Sequence, residues 1–525
     1  MVQCFILGQK IMPVKEEFIA DINAGYTYKS ESVPIGAAIL DGTVLPEVPV
    51  NLSLKMMNRH GLIAGATGTG KTKTLQVLSE ILSDASVPVL VLDIKGDLSG
   101  IAAAGSSNAK IVERYMAMSK EWSPASYPTE MLSLTGKDGV PIRATVTEFG
   151  PVLLSKILGL NDVQAGIVSV IFKYCDDTAL PLLDLKDFIK ILQYFGNDGK
   201  AEIEQQYGKI STSSTGTILR KVIELQQQGA DIFFGERSFE VADLMRISDD
   251  GRGMINVLRV TDMQDRPKLF SSFLLQMLAE LYATLPEEGD LDKPKLVMFI
   301  DEAHLVFQEA SNVLLEQIET VVKLIRSKGV GIFFCTQNPM DVPAAVLGQL
   351  GLKIQHALRA FTAVDRRTIK QTADNYPETR YYKTEDLITQ LGIGEALITM
   401  LNEKGIPTPL VHTMMLSPRS RMDVLTVEEL KNINDGSPLI KKYNVAVDSH
   451  SAYEILNAKL AEAAENGAAI SETKKRSIKA EPTTFEKITS NTIVKSMART
   501  AGNSIVRSLL GALGLGGTTR RKSFF

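Results

Sequence analysis

The sequence has few of the residues that mark secreted, metal-binding or membrane-spanning proteins. It holds three cysteines in 525 residues, Cys4, Cys175 and Cys335, and these lie far apart. Such spacing indicates neither a disulfide framework nor a CxxC metal knuckle. No apolar run approaches the roughly 18 residues of a membrane span, and the short patch at residues 5–7 is too small for a signal peptide. We therefore expect a cytoplasmic protein without an integral membrane segment.

The chain also lacks an excess of positive charge. Lys and Arg number 57 against 61 Asp and Glu, a net charge of −4, so its overall charge does not indicate a nucleic-acid or acidic-membrane partner. Residues 471–525 are the exception, with eleven Lys or Arg against three Asp or Glu. The 44% of hydrophobic residues is enough for a substantial core. Binding of anions through the basic end would therefore be local.

Short apolar runs alternate with helical patterns over much of the chain. This alternation is typical of a parallel sheet that helices cover on both faces, so we predict an α/β fold. The runs are at residues 62–64, 87–94, 296–300, 330–335 and 354–358. We predict a β-rich segment over 1–54, one nucleotide-binding core over 55–100 and 255–416, a mainly helical insertion over 101–254, and a C-terminal helical and basic tail over 417–525.

The basic tail carries an apolar stripe at helical spacing over residues 493–513. This stripe has three interpretations. The helix docks on its own protein or is simply solvated, its arginines bind DNA phosphates, or it lies on a membrane surface. The sequence leaves these three open, and the last ten residues look disordered.

A phosphate-binding loop is the clearest motif in the sequence. The pattern GxxxxGK[ST] is formed by Gly65, Ala66, Thr67, Gly68, Thr69, Gly70, Lys71 and Thr72. It follows an apolar strand and opens a helix, so backbone N–H groups and the helix N-terminus face bound phosphates. Lys71 is expected to contact the β- and γ-phosphates, and the Thr72 hydroxyl to ligate Mg²⁺. The motif predicts that ATP and Mg²⁺ are the cofactors.

Two carboxylates end a later apolar strand. Asp301 and Glu302 follow the run at 296–300, at the edge where open α/β sheets bind ligands. Asp301 is predicted to hold Mg²⁺, and Glu302 to act on the attacking water as general base. Gln337 ends the next strand, where an amide would contact the γ-phosphate or the water. Asp93 lies at another strand end, and an active-site carboxylate and a structural carboxylate explain it equally well.

His304 lies two residues beyond Glu302. The sequence has no HExxH helix, so a zinc site is a poor interpretation. Simple packing and a role in linking the site to neighbouring loops both remain open for this residue.

Several further strings accompany these motifs, and together they resemble the HerA/FtsK group of P-loop ATPases, most closely the HerA-like family typified by YjgR. The matches run from about residue 30 to 420. The strings are NRHG at 58–61, DIKGDL at 93–98, IRATV at 142–146, LGLNDVQ at 158–164, FFGE at 233–236, IRSKGV at 325–330 and QHALRAF at 355–361.

The resemblance implies a RecA-like core with a helical insertion, assembly into a ring that is usually a hexamer, and ATP-driven movement on double-stranded DNA. It also implies that Arg326 and Arg59 face phosphate at subunit boundaries, with Arg359 and Arg366 as weaker candidates. The N-terminal segment is much shorter than the β-barrel domain of archaeal HerA proteins, and the membrane part of FtsK proteins is absent. Partner docking and membrane anchoring are therefore not carried over.

Three functions fit these observations. The first is a Mg²⁺-dependent ATP hydrolase that forms a ring and acts as a DNA translocase or helicase. The alternative is an ATP-driven switch or protein-remodelling ATPase without a DNA substrate. A small-molecule kinase is third, because Glu302 beside Asp301 favours water as the acceptor. Stimulation of ATP hydrolysis by duplex DNA distinguishes the first two.

Overall fold

Twelve strands lie in one sheet in the computed structural model, which describes residues 2–263, 266–289, 291–308, 312–444 and 450–472. The strands are β1 (Ser32–Leu40), β2 (Thr43–Ser53), β3 (Gly61–Ala64), β4 (Val89–Asp93), β5 (Thr129–Ser133), β6 (Val140–Pro141), β7 (Ile255–Arg259), β8 (Leu296–Ile300), β9 (Val330–Thr336), β10 (Leu352–Gln355), β11 (Glu395–Met400) and β12 (Val411–Met415).

Helices make up most of the remaining regular structure. They are α1 (Val2–Gly25), α2 (Lys71–Asp84), α3 (Ala109–Ala117), α4 (Val146–Ile157), α5 (Asp162–Asp177), α6 (Leu185–Gly196), α7 (Lys200–Tyr207), α8 (Thr212–Gln227), α9 (Val241–Leu244), α10 (Pro267–Thr284), α11 (His304–Phe307), α12 (Asn312–Ile325), α13 (Ala344–Leu347), α14 (Ala363–Asp374), α15 (Thr384–Gln390), α16 (Val427–Gly436), α17 (Pro438–Tyr443) and α18 (Ala452–Glu472). Along the described ranges, no helix is both long enough and apolar enough to cross a bilayer.

The sheet has a parallel part and an antiparallel part. Its order is β2-β1-β12-β11-β10-β3-β9-β8-β4-β7-β5-β6. The strands from β10 to β6 pair in parallel, and those from β2 to β10 pair antiparallel. The order places β9 between β3, which precedes the phosphate loop, and β8, which precedes the two carboxylates. This arrangement confirms the predicted α/β fold with a P-loop core.

The central strands are apolar along most of their length because both faces of the sheet are covered. Every residue of β3, β4, β8 and β9 is buried. One core cluster includes Val91, Phe299 and Phe333 on these strands and Leu78 on α2. Burial on both faces removes the alternation of polar and apolar residues, and this explains why the sequence shows continuous runs here.

Helix α1 is the main difference from the sequence prediction in the N-terminal region, where the segment 1–54 was expected to be β-rich. The helix is followed by β1 and β2, which pair with each other in the large sheet. Phe18, Ile22 and Tyr26 are buried in the core cluster. Their four-residue spacing places the side chains on one face, as a helix requires. The β-rich prediction for the whole segment came from the glycine- and proline-rich stretch that follows the helix.

The chain divides into two compact units. The first comprises Met1–Pro141, Glu240–Ser271 and Leu285–Lys442, and it contains the whole sheet. Strands β5 and β6, which lie within the range 101–254 predicted as a mainly helical insertion, belong to this unit. These two strands are short and contain few apolar residues, so no run of apolar residues predicts them.

The second unit comprises Ile142–Phe239, Ser272–Thr284 and, among the described residues, 443–444 and 450–472. Three of its helices, α4, α5 and α6, begin at capping boxes. Thr145, Asn161 and Asp184 each form a capping box with the residue three positions later. Such boxes satisfy the first backbone N–H groups of a helix and fix where it begins. The predicted helix at 217–228 is present as α8, and Ser211 caps it.

Residues 417–425, which were expected to begin the C-terminal tail, instead run across α2. Lys73 Nζ donates to the Met422 carbonyl at 2.5 Å, and Gln76 Nε2 donates to the Arg421 carbonyl at 2.9 Å. Glu80 accepts a hydrogen bond from the Arg419 N–H at 2.9 Å. We call residues 417–425 the crossing segment. The basic residues from 473 onward and the stripe at 493–513 lie outside the described residues.

Candidate active site

The loop between β3 and α2 forms the candidate phosphate-binding element. Gly68 and Gly70 have φ angles of 78° and 121°, which are conformations that glycine adopts without steric cost. A Cβ on Gly65 would lie 2.5 Å from the Cβ of His356. The loop therefore turns tightly enough for its N–H groups to surround a phosphate, and the N-terminus of α2 adds its partial positive charge.

Lys71 opens α2 and is 6% exposed. Its Nζ donates hydrogen bonds to the carbonyl oxygens of Gly65 at 2.7 Å and Ala66 at 3.3 Å. Burial lowers the pKa of Lys71, and the Glu302 carboxylate opposes this shift. The ammonium group thus lies within the loop that the motif assigns to phosphate, and Thr72 follows it in the first turn of the helix.

The two predicted carboxylates lie directly after β8. The Asp301 N–H donates to the Leu92 carbonyl at 3.3 Å, and the Ala303 N–H donates to the Cys335 carbonyl at 2.8 Å. These bonds continue the sheet beyond the strand on both sides. Asp301 and Glu302 are 2% and 4% exposed. Glu302 has a φ of 46°, a left-handed conformation that costs about 1 kcal/mol or more in a residue other than glycine.

Glu302 is the centre of a polar cluster. Lys95 Nζ forms an ion pair with its Oε1. His304 Nδ1 lies 3.1 Å from Oε2, and Gln337 Nε2 donates to the same oxygen at 3.4 Å. The Thr67 hydroxyl donates to Gln337 Oε1, also at 3.4 Å. Gln337 therefore links the phosphate loop to the glutamate, as its place directly after the intervening strand β9 allows.

The neighbouring carboxyl groups have opposite pKa shifts. Burial alone would raise the pKa of Glu302, but the bonds from His304 and Lys95 outweigh it and lower this pKa to about 2. Burial raises the pKa of Asp301 to about 7; Lys95 opposes this shift and the charge of Glu302 adds to it. The bond to Glu302 raises the pKa of His304. Two adjacent carboxyl groups whose pKa values are shifted in opposite directions are typical of acid–base sites.

Asp301 and Thr72 have the chemistry of a magnesium site. Asp301 Oδ2 is buried and has no hydrogen-bond partner. An uncompensated buried carboxylate oxygen is costly, and a hard divalent cation would satisfy it. The Thr72 hydroxyl is the second oxygen that the P-loop pattern supplies. The residues present therefore fit a Mg²⁺ ion bound together with phosphate oxygens.

Asp93 has a structural role. Its carboxylate accepts hydrogen bonds from the N–H groups of Gly96 at 2.7 Å and Leu98 at 3.2 Å. Burial raises its pKa to about 6. The resulting turn carries Lys95, which the sequence analysis did not select. The only signal for Lys95 was its place in the DIKGDL string, one strand away from Glu302.

His356 is a second residue that the sequence analysis did not assign a role. It follows β10, is fully buried, and contacts Gly65 from behind the loop. Its Nε2 lies 2.9 Å from the Thr74 hydroxyl on α2, and its Nδ1 lies 2.8 Å from the Glu395 carbonyl. His356 therefore holds the phosphate loop between the sheet and the helix.

Arg59 and Arg326 lie at the opposite ends of the strands from the phosphate loop. Arg59 precedes β3 and Arg326 precedes β9, so both lie at the amino ends of parallel strands. Arg326 is exposed, and its charge lowers the pKa of His60, the residue after Arg59, where burial is the larger cause. Within one chain these arginines are therefore separated from the phosphate loop by the length of the strands.

Arg359 and Arg366 are exposed residues beyond the end of β10. Arg359 donates to the Thr389 carbonyl at 2.8 Å. Neither side chain has a described contact with the phosphate loop or with Glu302.

The chain matches the family model described as Helicase HerA-like C-terminal over residues 40–521. The DNA double-strand break repair helicase HerA of Sulfolobus acidocaldarius is 22% identical over 404 residues, which cover 74% of this chain and 71% of that protein. The protein of the same name from Saccharolobus solfataricus is 24% identical over 361 residues, 67% of this chain and 63% of that protein. Among solved structures, the bacterial conjugative coupling protein TrwB has a TM-score of 0.49 at 12% identity, over 78% of this chain and 94% of its own.

The family match spans most of the chain and includes the phosphate loop, the two carboxylates and Gln337. The chain therefore belongs to the HerA-like helicase C-terminal family and is a P-loop ATPase.

Proposed function

We propose that this protein hydrolyses ATP in a Mg²⁺-dependent reaction and uses the energy to move on double-stranded DNA as a ring of identical subunits. The observation that carries the chemistry is the cluster of Lys71, Asp301, Glu302 and Gln337 at one edge of the sheet. Residues of these types, with this division of burial and charge, match the requirements of phosphoryl transfer to water.

The residues divide the reaction between them. The N–H groups of the phosphate loop and the Lys71 ammonium bind the phosphates and balance their charge. Thr72 and Asp301 would hold the magnesium ion, whose chemistry is charge neutralisation on the transferred group. Glu302 takes a proton from water as the water oxygen attacks the γ-phosphorus, and ADP leaves. Gln337 contacts the γ-phosphate or the water, so its contacts change when the γ-phosphate is hydrolysed.

The DNA substrate is proposed from the relatives. Two of the most similar curated proteins are described as DNA double-strand break repair helicases, and the matched segments cover 63 to 71% of their length. The matched part of this chain includes the complete candidate site. We place the protein in the cytoplasm, since its three cysteines are too far apart in sequence to suggest secretion.

Assembly into a ring, which we expect to be a hexamer, gives Arg59 and Arg326 a function. Both lie at the edge of the sheet opposite to the phosphate loop of their own chain. A neighbouring subunit that presents its nucleotide to this edge would receive them as transition-state arginines.

The test is an ATP hydrolysis assay with the full chain, with and without duplex DNA, in Mg²⁺ and in EDTA. We expect hydrolysis only with Mg²⁺ and a faster rate with duplex DNA. Glu302→Gln should bind ATP and hydrolyse it about 10²-fold or more below the wild-type rate, which is the usual loss with a general base. Lys71→Ala should lose ATP binding.

Each part of the proposal has its own contrary result. Turnover near the wild-type rate in Glu302→Gln would remove the base assignment. Hydrolysis that duplex DNA leaves unchanged would instead favour an ATP-driven switch or protein remodeller. A Glu224→Gln variant is the matched control, since Glu224 is 56% exposed on α8 and only its exposed pair with Lys221 would be lost.

A further inference from the structure

Lys95 restrains Glu302 in the structure described above. Its ammonium group forms an ion pair with Oε1, while His304 and Gln337 occupy Oε2. A general base needs an oxygen that is free to accept a proton from water. In this arrangement both oxygens of Glu302 contact donors. These contacts stabilise the charged carboxylate and so make it a weaker base.

The position of Lys95 is fixed by its own turn rather than by Glu302 alone. The Asp93 carboxylate, two residues before Lys95, accepts hydrogen bonds from the N–H groups of Gly96 and Leu98, which follow it. Gly96 has a φ of 77°, which permits the tight turn. The Lys95 side chain is 36% exposed, whereas the Glu302 side chain is 5% exposed. The lysine is therefore accessible to solvent while its partner is buried.

A bound triphosphate would compete for this lysine. Lys95 and Lys71 are close enough for each to influence the other, since the charge of Lys95 contributes to the lowered pKa of Lys71, after burial as the main cause. The γ-phosphate carries more negative charge than one carboxylate, and it would lie beside Lys71. An ammonium group placed between a carboxylate and a phosphate goes to the more highly charged partner.

We propose that Lys95 is a positioning residue that keeps Glu302 from acting as a base until the γ-phosphate of bound ATP draws the lysine away. Hydrolysis thereby depends on a fully seated triphosphate. This inference rests on the proposed role of Glu302 as the general base, and it adds a residue that acts through Glu302.

The test compares the ATP turnover of Lys95→Met, Lys95→Arg and the wild type, all without DNA. Lys95→Met keeps the length of the side chain and removes the charge. Because Glu302 still competes with the γ-phosphate for the lysine in the wild type, we expect turnover at saturating ATP to rise about three- to tenfold. KM should rise as well, because the γ-phosphate loses its contact with the lysine. The range is modest because solvent screens a partly exposed ion pair. Lys95→Arg keeps a cation next to Glu302 and should stay below Lys95→Met. Lys173→Met, which removes an exposed ion pair on α5, is the matched control.

A second variant separates restraint from a general effect on the fold. If Lys95 acts through Glu302, adding Lys95→Met to Glu302→Gln should leave the slow turnover of that variant unchanged. A rise in both backgrounds would overturn the proposal, as would unchanged or lower turnover in Lys95→Met alone. Wild-type turnover in Glu302→Gln would instead overturn the base assignment, so the two failures are distinguishable. Melting temperatures establish that each variant is folded.

Discussion

At the scale of single residues, His356 links the stability of the phosphate loop to pH. Burial lowers its pKa to about 4, and only the bond to the Glu395 carbonyl opposes this shift. The unfolded chain, with a histidine pKa of about 6.5, takes up a proton first as pH falls. The stability that the neutral form of His356 contributes is therefore fully present above about pH 6.5, and it is lost progressively as the pH falls to about 4. The loss is about 3 kcal/mol at roughly 1.4 kcal/mol per pH unit.

Melting temperatures measured between pH 8 and pH 4 test this expectation. His356→Gln should melt lower than wild type at pH 8, because the fit behind the loop is lost, but it should lose less stability on acidification. The exposed His450 gives the control variant His450→Gln, whose profile should follow that of wild type. Parallel profiles for His356→Gln and wild type would contradict the prediction.

The sequence predicts those candidate site residues whose position follows from a local pattern. Lys71 and Thr72 follow from the loop spacing, and Asp301 and Glu302 from their place after an apolar strand. Lys95 and His356 act across neighbouring strands of the sheet, and their partners are set by strand order. No local pattern encodes that order, so these two residues became apparent only in the folded chain.

At the scale of elements, the crossing segment depends on a polar face of α2. Glu80 is 3% exposed and accepts hydrogen bonds from the N–H groups of Arg419 at 2.9 Å and Ser420 at 3.0 Å. Glu80→Ala would leave these donors without a partner, at about 1–3 kcal/mol for each buried group. We expect a lower melting temperature by several degrees, measured against Glu224→Ala on the exposed face of α8. Equal melting temperatures would show that the segment is held by other contacts.

This polar face also explains why the crossing segment was assigned to the tail. Lys73, Gln76 and Glu80 bind the backbone of the segment, and Leu425 at its end is buried in the core cluster. The segment thus needs few apolar side chains for its attachment. Sequence patterns detect elements through their buried apolar residues. The central strands were therefore found with nearly correct bounds, whereas a segment fixed by hydrogen bonds was not.

At the scale of the whole molecule, the ring proposal makes a prediction about the arginines. Arg59→Ala and Arg326→Ala should each lower turnover while nucleotide affinity is largely kept, because trans arginines stabilise the transition state by roughly 10³- to 10⁵-fold in related enzymes. Mixing either variant with Lys71→Ala subunits should recover part of the activity, since intact halves of the site meet at some boundaries. Full turnover in Arg326→Ala would return this residue to the role of an ordinary surface arginine.

The position of β9 between β3 and β8 has a consequence for tolerance to mutation. Adjacent strands are about 4.8 Å apart, so the phosphate loop and the two carboxylates start from backbones about 10 Å apart. The width of the opening between these two backbones is set by the hydrogen-bonded spacing of the strands. It does not depend on the size of any side chain in the opening. Substitutions lining the opening would change its chemistry without changing its width, whereas a slip of β9 by one residue would misalign both walls at once.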